Sequence, residues 1–127
     1  MISGIVNMNG EATVSLRVHG PNKQERDIEA VIDTGFNGFL TLPPILIEAL
    51  GLHRIGRGRA IMANGGEELF DIYGGTVIWD GNPRNIELDA ADTTPLVGMS
   101  LLYGSDLWMR VIESGPVTIE AVQDNFV

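Results

Sequence analysis

Asp33 is the side chain of this sequence best placed to do chemistry. It closes the run Val31-Ile32-Asp33-Thr34-Gly35, where a carboxyl group leaves an apolar strand and is followed by a hydroxyl residue and a glycine. A carboxyl there can take or give a proton. To hydrolyse an amide without a metal or a covalent nucleophile, two carboxyls must be held close enough to share one proton. One then acts as base and the other as acid toward a water molecule. Like charges in contact resist double ionisation, so such a pair keeps its proton above the ordinary Asp range and titrates as a unit. An Asp near a Gly is also ordinary turn chemistry, so the surrounding elements decide between the two readings.

Other chemistries find little support. With no cysteine in the chain, disulfides, thiolate nucleophiles and Cys-ligated zinc are excluded, which fits a cytoplasmic location. His19 and His53 are far apart and in no ligand-like spacing, so both are expected at surface or loop positions. Two acidic groups, Asp89, Asp92 and Asp106, and Glu67, Glu68 and Asp71, offer oxygens of the kind calcium or magnesium takes. Neither has a recognised loop spacing, and both are expected to be solvated surface. No metal or cofactor is expected. Trp79, Trp108, Phe70 and Tyr73 lie on strand-like runs and are expected in the core.

The 127 residues suffice for one hydrophobic core, and residues 1–127 are expected to form a single domain. The chain is 44% hydrophobic and 20% charged, a globular balance. Acidic residues outnumber basic ones 17 to 8, and the net charge of -9 opposes binding to nucleic acid or to anionic membrane surfaces. Neither a basic, apolar export signal at Met1–Met8 nor a membrane-length apolar run is present.

The elements that must hold Asp33 follow from periodicity. Val14, Leu16 and Val18 alternate with polar residues, as do Ile28, Ala30 and Ile32, which predicts two half-buried strands with Asp33 ending the second. Gly35, Asn37 and Gly38 supply a tight loop before an extended Phe39–Leu42. Pro43 and Pro44 open, and Gly51 closes, the one convincing helix. Arg57–Ala63 and Glu68–Trp79 flank Asn64-Gly65-Gly66 as a long hairpin. A turn at Asp80–Pro83 leads to alternation through Ala90, and a last hairpin joins Leu107–Ile112 to Val117–Val122. Many short strands with one helix predict an all-β, closed or nearly closed barrel.

Taken in order, these parts resemble the retropepsin-like aspartic proteases of clan AA. The hydrophobic-Asp-Thr-Gly signature is followed by a strand and short helix, then the hairpin around Asn64-Gly65-Gly66, then the apolar-apolar-Gly of Leu96-Val97-Gly98. The match runs from about Ala12 to Ile112. The resemblance implies a closed barrel with a flap hairpin, and an aspartic endopeptidase acting on a peptide or protein substrate. It makes Asp33, Thr34 and Gly35 catalytic, with Thr34 bracing both loops by a hydrogen bond across the dimer. Phe36, Ala63, Asn64, Gly65 and Gly66 become substrate-binding, and Leu96, Val97 and Gly98 support the site.

The chain has a single such motif, so the resemblance implies a homodimer in which Asp33 meets its own copy across a two-fold axis. Related proteases build a dimer sheet from their chain ends, here Met1–Asn7 and Val117–Val127, an assignment the sequence leaves open. Phe36 departs from the small residue that classical members carry after Asp-Thr-Gly. It resembles instead the Asp-Thr-Gly-Phe of bacterial-type relatives. The alternative is a non-catalytic module with the same barrel, dimerising or holding a peptide strand without cutting it.

Overall fold

A computed structural model describes residues 1–123. The strands are β1 (Ile2–Val6), β2 (Ala12–His19), β3 (Glu25–Ile32), β4 (Leu40–Leu42), β5 (His53–Ile61), β6 (Glu67–Trp79), β7 (Asn82–Ala90), β8 (Leu96–Val97), β9 (Ser105–Met109) and β10 (Pro116–Ala121). Two short helices, α1 (Pro44–Ala49) and α2 (Met99–Leu102), interrupt them. The predicted helix is α1: Pro44 occupies its first turn, and Gly51 follows it at φ +62°, a left-handed position that suits glycine. Ile47 is its buried residue and Leu50, which caps its end, is buried beside it, while Ile45 faces solvent. The second helix was not foreseen, because four residues are too few to show a period.

Turn chemistry sets the hairpins. Asp80 and Gly81 both have positive φ, the two-residue turn whose twist matches its flanking strands, and it pairs Trp79 with Asn82. At the β5–β6 tip, Gly65 N–H donates to Met62 O (2.9 Å) and Met62 N–H to Gly66 O (2.7 Å), with Gly65 at φ +83°. That is a three-residue loop with its glycine in the left-handed position.

The strands form one sheet in the order β5-β6-β7-β4-β8-β3-β2-β1-β10-β9. A further antiparallel pairing of β2 with β6 joins β6, β7, β4, β8, β3 and β2 into a ring, the barrel expected from the sequence. Along one edge, β6 pairs with β5 through residues 67–74 and with β2 through residues 76–78. Its pairing with β7 starts only at Ile72, so the β5–β6 arms before that point project from the ring as a two-stranded hairpin.

The alternating residues of β2 and β3 supply the core as predicted: Val14, Leu16, Val18, Ile28 and Ala30 are buried. They pack with Leu40, Leu42, Val77, Leu88, Val97 and Leu101. Trp79 is buried and Tyr73 packs against this core, but Trp108 and Phe70 depart from expectation. Trp108 is half exposed on the edge strand β9, with the Arg110 guanidinium over its ring, 5.6 Å from the centre. Phe70 is partly buried on the projecting hairpin, beyond the reach of the core.

The N-terminal segment Met1–Asn7 contributes β1, which pairs with β2 on one side and β10 on the other within the same chain. Of Val117–Val127, residues 124–127 lie outside the described residues. Among the described residues no helix is long and apolar enough to cross a membrane.

Leu40 is fully buried, opposite Val97 on one side and Leu88 on the other. Leu40→Ala should cost about 2–5 kcal/mol of folding stability, read as a shifted urea midpoint at unchanged slope.

Candidate active site

Asp33 follows directly on β3, which β8 holds from the side. Val31 lies opposite Leu96 and Ile32 opposite Val97 in parallel pairing, and the Asp33 N–H continues the ladder to Val97 O at 2.9 Å. The carboxylate then turns back on its own loop: Gly35 N–H donates to Asp33 Oδ1 at 2.9 Å, and Phe36 N–H donates to Asp33 O at 3.1 Å. A Cβ on Gly35 would lie 3.2 Å from Oδ1, tighter than side chains normally pack. Glycine therefore keeps the approach to the acid open. Asp33 is partly exposed, and Thr34 and Gly35 are exposed.

The loop is stitched to the Leu96-Val97-Gly98 segment along its length. Gly98 N–H donates to Phe39 O (2.9 Å), Met99 N–H to Phe36 O (2.8 Å) and Ser100 N–H to Gly38 O (3.1 Å). A Cβ on Gly98 would lie 2.2 Å from Gly38 O and 2.8 Å from Phe36 O, so this position has room only for hydrogen. Two side chains that sequence reasoning missed complete the brace. The buried Thr41 hydroxyl accepts from Leu96 N–H at 2.8 Å, and Ser100 Oγ donates to Asn37 O at 2.5 Å. Nothing in the local sequence distinguishes these hydroxyls from ordinary strand and helix residues.

Phe36 is half-buried, and its ring lies against both Gly38 and Gly98: a Cβ on either would come within 2.6 Å of a ring carbon. Two glycines thus make the space for the residue that departs from the classical pattern. Its outer side helps to line a cavity of about 490 Å³, bounded also by Gly38, by Ala60, Glu68 and Phe70 of the hairpin arms, and by Asp89. The tip residues Ala63, Asn64, Gly65 and Gly66 are exposed and do not line it.

Asp89 differs from the solvated surface expected of its group. It is half-buried, and burial pushes its carboxyl above the usual range, with the nearby Glu87 charge acting in the same direction. Asp92 and Glu68 are exposed. Asp71 is held by Arg54 at 3.0 Å and by Arg57 at 3.7 Å, and Glu67 by Arg59 at 3.5 Å. No group of three or more His, Asp or Glu among the described residues is arranged to hold a metal ion.

A larger cavity, about 660 Å³, includes both histidines, which lie at strand ends rather than in loops. His19 Nε2 is buried and lies 3.4 Å from Glu25 Oε2 without forming a hydrogen bond. Asp33, Thr34 and Gly35 line neither space; the smaller cavity is the one bounded by Phe36, Asn37 and Gly38, which continue the Asp33 loop.

Among solved structures, the chain is similar to a retropepsin-like aspartic protease from Rickettsia conorii, with a TM-score of 0.61 over 96% of this chain and 91% of that one. The fold is retropepsin-like. EIAV protease, solved with an inhibitor, is also similar, with a TM-score of 0.55 over 76% of this chain and 88% of that one. Sequence identities are 20% and 18%, so the likeness is one of backbone. No protein-family model and no curated protein matches the sequence. In this retropepsin-like frame, β8 lies between β3 and β4 and carries the Asp33 loop.

Gly98→Ala should destabilise the fold by roughly 1–3 kcal/mol, because the added methyl meets backbone oxygens rather than a flexible side chain. Thermal denaturation beside Gly56→Ala, where a Cβ meets nothing within 4 Å, separates this from a general glycine effect. For Asp89, a raised folded pKa means that the folded state binds the proton more tightly than the unfolded chain. Stability therefore falls as pH rises from the ordinary Asp range through the raised value. Asp89→Asn should melt above the wild type near neutral pH, with the gap closing below the ordinary Asp range; a gap independent of pH would contradict burial as the cause.

Proposed function

We propose that the chain is an aspartic endopeptidase, active as a homodimer in which two Asp33 carboxyls share a proton and activate a water against a peptide bond. The observation that carries this reading is the state of Asp33. Its backbone is locked to β8, while its carboxyl and the Thr34-Gly35 turn remain open to solvent. An acid serving only as turn chemistry does not require a loop braced by four backbone bonds and a glycine with no room for a methyl.

The mechanism follows from proton accounting. The ionised member of the pair removes a proton from the water as it attacks the carbonyl carbon. The protonated member gives its proton to the carbonyl oxygen; the member that took the water proton then passes it to the leaving amine as the C–N bond breaks, and the first regains a proton from the gem-diol hydroxyl as the product carboxyl forms. Gly35 N–H, already on Oδ1, holds the carboxylate in one orientation. Thr34, exposed beside it, is assigned the bracing contact with the partner loop. Leu96, Val97 and Gly98 hold the loop from behind.

The β5–β6 hairpin is assigned the role of flap, with Ala63, Asn64, Gly65 and Gly66 closing over a peptide and excluding bulk water. Ile61 and Leu69, 77% and 56% exposed on its arms, offer apolar area that gains a partner when such a lid closes. Phe36 packs on Gly38 and Gly98 and forms a cavity wall, which gives it a place in the cleft compatible with a bound strand.

Asp33→Asn should lower cleavage of an unbiased peptide library by roughly 10²–10⁴-fold, with circular dichroism and sedimentation unchanged. Wild-type rates in that variant would remove Asp33 from the mechanism and leave a binding module. The active species should sediment as a dimer, and specific activity should fall on dilution. A full rate from a strictly monomeric species would overturn the paired-acid reading. Activity should be highest at acidic to mildly acidic pH, since ionisation of both acids removes the proton donor; a rate still climbing into alkaline pH would exclude the mechanism.

A further inference from the structure

The cavity beside the Asp33 loop has a chemistry that the cleavage reaction does not require. Phe36 of the loop and Phe70 of the hairpin line it. Phe70 is held in place by Gly58 across the strand pair, where a Cβ would come within 2.4 Å of two ring carbons. Carboxylates enter from three places, Asp89 from β7, Asp92 from the segment that follows it, and Glu68 from the hairpin, where Glu68 and Phe70 are two apart and share a strand face. The cationic lining residue, Arg59, is opposite Leu69 in register, on the other parity of the hairpin, with its guanidinium 3.5 Å from Glu67. Asp89 forms no ion pair among the described residues, although it is half-buried. A carboxylate in that position is uncompensated until something positive arrives.

We propose that this cavity is the specificity subsite of the cleft and takes a lysine or arginine side chain of an extended peptide, its stem against Phe36 and Phe70 and its charge on Asp89. The inference rests on the peptide-cleaving reading of Asp33 and deepens it. A long basic side chain has an apolar stem that gains from aromatic walls and a cationic head that a ring face also attracts. Its charge restores what Asp89 loses by leaving water. A neutral residue leaves that carboxylate unpaired, and an acidic one meets Asp89 and Glu68 with like charge. Phe36 and Gly38 belong to the loop that begins at Asp33, so a side chain seated here places its own backbone alongside the acids.

The test uses the full chain and matched peptide libraries differing only in whether one position carries Lys or Arg, Gln or Leu, or Glu. Wild-type cleavage should favour the basic set over the neutral set by about tenfold at a single position relative to the scissile bond. Asp89→Asn should collapse that ratio toward one, and Asp89→Lys should invert it toward Glu. Asp106→Asn, a charge removed from the exposed face of β9, should leave the ratio intact and so excludes a mere effect of the chain's net negative charge. Binding of the same peptides to Asp33→Asn is measured in parallel by isothermal calorimetry. Cleavage without basic preference overturns the subsite and leaves the protease standing. An absence of cleavage with tighter binding of basic peptides overturns the protease and supports the subsite. Equal binding of all three sets by Asp33→Asn overturns the subsite in either case.

Discussion

A strand of two residues carries both the closure of the ring and the placement of Asp33. β8 is the link between β3 and β4 in the sheet order, parallel to the first and antiparallel to the second. Its Val97 carbonyl receives the Asp33 N–H, and the chain then crosses the Asp33 loop at Gly98 with no space for a side chain. A displacement of β8 would therefore open the ring and release the acid together. The surrounding details serve that crossing: Thr41 holds the start of β8, Ser100 holds the loop beyond it, and buried Leu40 fills the space behind. Such coupling gives the acid the rigidity of the core while its carboxyl stays at the surface, the condition that proton-transfer chemistry sets.

Strand alternation also sorts the charges of the hairpin. Arg57, Arg59, Glu67 and Asp71 fall on one parity of the β5–β6 ladder and pair with one another in solvent, where each contact contributes little. Gly56, Gly58, Ala60, Glu68 and Phe70 fall on the other, where small residues leave room for one aromatic ring and one carboxylate. The chain's acidic excess is thereby neutralised locally on one face of the arms and left uncompensated on the other. With Asp89 and Asp92 from outside the arms, this asymmetry leaves carboxylates in excess of Arg59 around the cavity.

Periodicity made much of this legible from sequence. The buried faces of β2 and β3, the proline-opened and glycine-closed α1, and the turns at Gly65 and Asp80-Gly81 are local consequences of side-chain spacing and backbone freedom. What alternation cannot convey is which strand lies next to which. The pairing of Val31 with Leu96 spans a long stretch of sequence, and only resemblance linked Leu96-Val97-Gly98 to the acid. For the same reason Thr41 and Ser100 were invisible, Asp89 read as solvated, and Phe70 and Trp108 read as core. Each of these depends on what an element packs against rather than on its own pattern. The histidines meet in one cavity because β2 and β5 both pair with β6, His19 opposite Thr76 and His53 opposite Gly74, which sequence distance conceals.

The pairing of the terminal strands bears on how two copies would meet. β1 has β2 on one side, through Ile5 and Val6, and β10 on the other, through Ile2–Ile5, while β10 lies between β1 and β9, so the terminal strands are already paired within one chain. A dimer built by exchanging these strands would first have to break those ladders. For the proposed pairing about Asp33, the contacts would instead come from the exposed Thr34-Gly35 turn and from the hairpin, where Ile61 and Met62 are exposed. Loops and hairpin tips bury less area than a shared sheet, and interfaces of that kind are typically reversible rather than obligate. On this construction, assembly of the two acids is itself an equilibrium, and a peptide lying under both hairpins adds contacts to the paired state that neither chain has alone. Under the proposed pairing, substrate would then favour completion of the site, because a peptide spanning both hairpins would bind the paired state more tightly than the separated chains.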